Sequence, residues 1–384
     1  MRVVQEIITG DCPAAVQLEN LAAIQPQLVL AFWGSAPLGE PAFLGDLQAR
    51  LPNAICVGCS TAGEIESRGV LESSCVLTAV SFAQSTLIVV EETIVDLNDS
   101  HAAGRRLSAT LPKQGLRGVL LLAPGVNING TALIEGFSTT LPDDIPISGG
   151  LAADNGAFQR TFVLGPNGVA DNRLVAVGLY GEHLQFGAGC RGGWSAFGPT
   201  RRITRASGSQ LFELDGQPAL DLYKKYLGEY ARDLPAAGLL FPFEMLDDEK
   251  NSIGLLRTII GIDEATQSLL LAGTVTEGAY LRLMHASTDA LVDGAEQAAS
   301  DGIGLIPGRD GLALLVSCVG RKLVMGDRVD EEVMAVAEQL GAGFTLTGFY
   351  SNGEISPMRG FSESVIMDCK LHNQTMTIAL LSEH

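Results

Sequence analysis

Cations are scarce in this chain. Its 25 Lys and Arg face 44 Asp and Glu, a net charge of −19 over 384 residues. Binding a phosphate backbone runs on clustered cations and counterion release, so nucleic acid is excluded as a partner. Long apolar runs are missing as well. The best, LVLAFW at 28–33 and LALLVSCV at 312–319, have strand length, far below the ~18 residues a membrane helix needs. The N-terminal MRVVQEIITGD carries Glu6 and Asp11 where a signal peptide needs an uninterrupted apolar region. The seven cysteines are odd in number and scattered, which fits reduced thiols better than a disulfide framework. The expectation is a soluble, acidic, cytoplasmic protein without a membrane partner.

Catalytic signatures are equally thin. No two of the five histidines stand at i, i+4, and there is neither a G-x-S-x-G elbow nor a GK[ST] phosphate loop. Cys56 and Cys59 form a C-x-x-C with no second pair to complete a zinc site. Their spacing puts the thiols on opposite faces of a strand, as small buried residues. The chain therefore reads as a non-enzyme.

What is present is core and punctuation. Hydrophobic residues make up 46% and charged residues 18%, with 45 glycines and 16 prolines between short apolar runs. That composition buries a core and rules out wholesale disorder. A first pass reads strand 28–33, a Gly/Pro loop, helix 41–51, strand 54–59 and strands near 75–82 and 86–94. A second has helix 99–110, strand 117–123, helix 131–141, strand 145–149, then GLAADNG and strands near 158–164 and 172–180. A third has strand 312–319, helix 329–340 and FTLTGFYSNGEI. The first and third share G-x-x-[ST]-x-G-E-I, from Gly58 to Ile65 and from Gly348 to Ile355. The fold class is α/β: mixed parallel and antiparallel sheets with strand–helix–strand repeats in two related lobes, 1–205 and 206–384. Basic RRITR and polar SGSQ mark the boundary near 200–215, and Pro218 suits the first turn of a helix.

Small-residue turns that directly follow buried strands expose backbone amides and a hydroxyl at the carboxyl edge of a sheet, where open α/β sheets bind ligands. Thr61, Glu64, Asp154, Asn155, Tyr350, Ser351 and Glu354 stand in such turns. Trp194, in GGWSAFGP, adds an aromatic anchor beside glycines. Each Glu can accept hydrogen bonds from an amine or cap backbone amides; as acids they repel phosphate. A pocket between the lobes lined by these motifs is expected.

GCSTAGEI, ISGGLAADN, FGAGCRGGWSAFGP, ELDGQPALDLYKKYLG, SCVGRKLVMGDRVDEEV and TGFYSNGEISP, in that order from about residue 28 to 380, resemble the FIST (F-box and intracellular signal transduction) proteins, with FIST N and FIST C regions. The resemblance implies a sensory domain for small molecules, with amino acids suggested as ligands. It further implies a bacterial stand-alone subset that binds haem, senses nitric oxide and regulates a separate histidine kinase. Haem iron needs an axial ligand in an apolar cleft, and His285 in AYLRLMHAS and His183 in LYGEHLQFGAG are the candidates; His372 is read as exposed in a polar hairpin. The alternative is a cofactor-free sensor of a small metabolite such as an amino acid. Self-association stays open.

Overall fold

The computed structural model describes residues 1–10, 12–34, 43–358 and 368–384. Much of the Gly/Pro loop read after residue 33, and positions 41–42 of the first predicted helix, lie outside them.

The strand–helix–strand passes are parts of larger units, and there are three. The first begins ahead of the sequence reading, with strand Arg2–Ile8 and helix Ala15–Ala23. It continues through strand Leu28–Gly34, helix Phe43–Arg50, strand Ile55–Thr61, a short hairpin (Glu64–Glu66 and Gly69–Leu71) and strand Cys75–Ser81. The second repeats this order from Thr86–Thr93 to Arg173–Tyr180, and the third from Leu184–Arg191 to Met376–Glu383. In each unit two parallel strands are flanked by antiparallel ones, and each unit lends its hairpin to a neighbour. The first unit's hairpin pairs with Phe344–Ser351 of the third. The third unit's strand Gly353–Pro357 pairs with Ile147–Leu151 of the second, and the second unit's Val163–Gly165 pairs with Ile55–Thr61 of the first. The result is three six-stranded sheets of one strand order, joined in a ring.

Burial explains the pattern. Every residue of LVLAFWG and GLALLVSC is buried, as expected of parallel strands covered on both faces. One face of each sheet contributes to a shared core: Leu30, Phe32 and Val57 from the first unit, Leu120 and Val177 from the second, Leu314, Phe349 and Leu381 from the third. The opposite faces carry separate cores under their own helices. Cys59 faces the shared core and Cys56 the helix side, as their spacing required. Each fully buried Leu or Phe contributes about 1.5–3 kcal/mol.

A glycine at the same place in each unit is fixed by contact. A Cβ on Gly58 would stand 1.7 Å from the carbonyl oxygen of Ala31; on Gly149, 2.0 Å from that of Leu121; on Gly348, 1.8 Å from that of Leu315. These residues occupy the same register position in the three parallel pairs. The close approach is a property of the unit.

Inside the third unit, between Leu184–Arg191 and helix Thr288–Ile303, the chain builds a further sheet from Ser195–Ser207 to Tyr280–His285. Its own core includes Leu211, Tyr223, Phe243 and Leu283. The stretch 200–215 lies in the hairpin made by Ser195–Ser207 and Gln210–Leu214 of this sheet. Pro218 immediately precedes helix Ala219–Leu227. No described helix is long and apolar enough to cross a membrane.

Candidate functional site

The carboxyl ends of the inner parallel strands meet where the three sheets join. Position by position their loops bond in a cycle: Ala62 N–H donates to Tyr350 O (2.9 Å), Asn352 N–H to Leu151 O (3.2 Å), and Ala153 N–H to Ser60 O (2.9 Å). Three of the predicted motifs, GCSTAGEI, GLAADN and GFYSNGEI, are thus brought together.

Two of the three loops carry the same buried constellation. Thr61 Oγ1 donates to Glu64 Oε1 at 2.6 Å, while Ser74 donates its N–H (3.0 Å) and hydroxyl (2.7 Å) to Oε2. In the third unit Ser351 donates to Glu354 Oε1 at 2.9 Å, and Thr375 donates its N–H (3.0 Å) and hydroxyl (2.8 Å) to Oε2. Burial pushes both carboxyls up, Glu64 against the pull of Thr61, Ser74 and nearby Lys322, and Glu354 to about 7. At the remaining junction the register puts Val163 in the carboxylate's place. There Asp154 instead accepts the backbone N–H groups of Phe158, Gln159 and Arg160, tying down its own loop.

The two carboxylates differ in what surrounds them. Glu64 opens on a pocket of about 20 Å³, lined by Gly34, Thr61, Ala62, Gly63, Glu72 and Asn155 among others. A space of that size holds one water-sized group. Lys322 stands at its rim, giving a hydrogen bond to Ala62 O (2.6 Å) and an ion pair to Glu72 (2.6 Å). Glu354 lies behind the turn at Gln374 and Thr375. Trp194 Nε1 donates to Gln374 O (2.8 Å), and Gln374 Nε2 donates to Leu239 O, in the helical turn Ala236–Leu239 of the inserted segment (2.8 Å). The predicted ligand set therefore divides. Thr61, Glu64 and Asn155 share the pocket, Ser351, Glu354 and half-buried Trp194 form the covered counterpart, and Asp154 serves its loop. Tyr350 is buried with its hydroxyl on Glu332, beside Arg321.

Glu72, Lys322, Arg321 and Glu332 escaped the sequence reading, although SCVGRKLVMGDRVDEEV contains three of them. A buried Arg–Glu pair split between two helices leaves no local spacing signal.

The histidines do not converge. His285 is exposed and meets exposed Phe197 edge-on, with ring centroids 5.9 Å apart. His183 is exposed and bonds through Nδ1 to the carbonyl of His384. His372, read as exposed, is instead buried. Its strand Cys369–His372 is an edge strand paired with Gly353–Pro357, Nε2 bonds Ser356 O at 3.1 Å, and burial holds its pKa down at about 4. Among the described residues no cluster of three or more His, Cys, Asp or Glu could hold a metal ion. A roomier cleft of about 160 Å³, lined by Asn127, Gln159, Arg160 and Asp171 among others, lies beyond the loop that Asp154 ties down and shares no residue with the Glu64 pocket.

Residues 27–217 match the FIST N domain and residues 219–357 the FIST C domain. An uncharacterised protein of Mycobacterium tuberculosis is 25% identical over 377 residues, 96% of this chain and 94% of its own length. An uncharacterised protein of Methanocaldococcus jannaschii is 30% identical over 162 residues, 38% of this chain and 31% of its own. Among solved structures, a cyanuric acid hydrolase from A. caulinodans aligns over 100% of this chain and 99% of its own with TM-score 0.37 and 8% identity, too weak a likeness to carry an argument.

Proposed function

The chain belongs to the FIST family through both parts of its length, and from that premise we propose that it is a signal-transduction sensor for a small metabolite carrying an ammonium group. The proposal includes its output: the protein acts by binding a partner, a separate histidine kinase being the class the family resemblance implies. The observation that carries the ligand reading is the pocket at Glu64. The buried Glu64 carboxylate and the oxygens of Thr61 and Asn155 line a space for one water-sized group, and exposed Glu72, ion-paired with Lys322, stands at its rim. An ammonium donates to such acceptors and neutralises the buried charge; a phosphate or carboxylate head is repelled. The raised pKa of Glu64 gives the sign of the pH effect. The amine needs the ionised carboxylate, so binding strengthens as pH rises through the pKa of Glu64. With a net charge of −19, encounter with a basic patch on the kinase is steered electrostatically and weakens in salt.

Calorimetric titration with methylammonium, glycine and acetate tests the ligand class. Binding of the two amines, absent for acetate and reduced at least tenfold by Glu64→Gln, supports it; acetate binding alone overturns it.

The second reading is haem with nitric oxide as the signal. It asks for an axial ligand inside an apolar cleft. His285 and His183 are exposed, and the apolar recess beside Phe197 and Leu283 encloses about 10 Å³, against roughly 300 Å³ or more for a cofactor site. These residues do not fit haem. Haem titration of His285→Ala and His183→Ala checks the point: any uptake is unchanged, and loss of the absorption band in either variant would restore this reading.

A further inference from the structure

The chain leaves the third unit for the inserted sheet at Gly192–Trp194 and returns at Ala286–Ser287 into the first turn of helix Thr288–Ile303. The two crossings touch. Gly193 has a left-handed φ of 75°, and a Cβ there would stand 2.0 Å from Ala290 O. One side chain grips both. Arg321 is fully buried; its guanidinium donates to Gly192 O on the outgoing crossing and to Leu291 O (2.8 Å) in the first turn of the helix that receives the returning one. The same guanidinium pairs with Glu332 Oε2 at 2.6 and 3.0 Å.

Glu332 leads back to the pocket. Its Oε1 accepts the hydroxyls of Tyr350 and of Ser317 (2.9 Å). Tyr350 is tied through its backbone to the pocket loop, its N–H to Gly63 O and its carbonyl to Ala62 N–H, both at 2.9 Å. A second arm runs beside the first. Lys322, next to Arg321 on helix Val319–Met325, reaches Ala62 O and Glu72. Pocket wall and hinge are therefore joined by hydrogen bonds and ion pairs without a gap. The buried Arg321 and Glu332 cannot shift singly, because breaking one partner strands the other in low dielectric.

We infer that the inserted sheet, residues 195–285, is the moving output element, and that Arg321 is a positioning residue through which the state of the Thr61–Glu64 pocket sets the hinge. The inference rests on that pocket being the sensory site. It gives the sensor two arrangements of one element biased from one site, which is what allosteric coupling requires. Trp194 and Gln374 hold the sheet in the arrangement described.

The test needs no ligand, so its failure is distinct from failure of the amine reading. Amide hydrogen exchange is followed at residues 191–194 and 286–292 of the full chain. Thr61→Val removes the hydroxyl that holds Gly63 N–H (3.1 Å) and loosens the loop. Hinge exchange is expected to rise at least about fivefold, the lower end of ordinary coupling. In a Tyr350→Phe, Lys322→Met background both arms are cut, and Thr61→Val adds nothing at the hinge. Ser317→Ala, which removes a bond to Glu332 off the path, leaves the Thr61→Val effect whole. If Thr61→Val loosens its own loop without moving hinge exchange, or if its effect simply adds to that of the cut arms, the relay is wrong. A Tyr350→Phe, Lys322→Met protein that does not fold is replaced by Tyr350→Phe alone, which halves the Thr61→Val effect or more; an unreduced effect refutes the relay.

Discussion

Replacing Gly149 with Ala puts a methyl group 2.0 Å from the carbonyl oxygen of Leu121, on the neighbouring parallel strand. Ordinary contact is more than 1 Å longer, and strands locked by hydrogen bonds on both sides cannot part locally by that distance. Overpacking of this kind costs about 1–3 kcal/mol. Gly149 also has a φ of 141°, a region Ala resists, adding about 1 kcal/mol. The expected loss is about 2–4 kcal/mol, a fall of roughly 1 M in urea midpoint for a slope near 2–3 kcal/mol/M. Because the approach belongs to the unit, Gly348→Ala should lose a comparable amount, and Gly58→Ala, which lacks the positive φ, the overpacking part of about 1–3 kcal/mol. Gly10→Ala serves as control: nothing lies within 4 Å of its added Cβ, and it should stay within about 0.5 kcal/mol. Urea unfolding of the four variants is the assay. If the three strand substitutions match the control, the shared close approach, and with it the equivalence of the units, is refuted.

Two further outcomes follow from the buried charges. Glu354 and His372 are direct cross-strand partners, each pushed towards neutrality by burial, Glu354 up to about 7 and His372 down to about 4. The raised acid contributes stability that is full below about pH 4.5 and is lost as pH rises through 7; the depressed histidine contributes stability that is full above about pH 6.5 and is lost as pH falls through 4. Each is worth about 3 kcal/mol at 1.36 kcal/mol per unit, so in wild type the opposing slopes largely cancel between pH 4.5 and 6.5. Thermal melts across that window should show Glu354→Gln gaining stability as pH rises and His372→Leu losing it; parallel profiles for both variants would contradict this. Arg321→Met strands Glu332 in the interior and should cost about 3–5 kcal/mol, with Glu332→Leu in the same chain restoring part of it in urea unfolding.

Much of this was legible in the sequence, for identifiable reasons. Strands such as 28–34 and 311–318 announce themselves as apolar runs of strand length, and the helices at 330–340 and 100–109 fall within a residue of their expected ends. The repeated GEI turn located both buried carboxylates, because the Ser or Thr three residues ahead is the partner each one uses. The N-terminal strand Arg2–Ile8 was missed, since its half-buried, charge-bearing pattern looks like a tail until Cys75–Ser81 is beside it. The exchange of hairpins between units has no local signature, as each short hairpin gains its burial from a sheet elsewhere in the chain. The same holds for Lys322 and Glu72, which reach the pocket from distant segments. His372 misled because its neighbours Asn373 and Gln374 are polar, yet all three are buried beneath the inserted sheet.

The most direct measurement of the central claim is a crystal structure of the protein grown with methylammonium at saturating concentration and a pH above neutral. The account predicts density for the amine between the carboxylates of Glu64 and Glu72, beside Thr61 and Asn155, and none there in Glu64→Gln crystals grown alike. An empty Glu64 pocket in wild-type crystals, with the amine bound elsewhere or not at all, would contradict it.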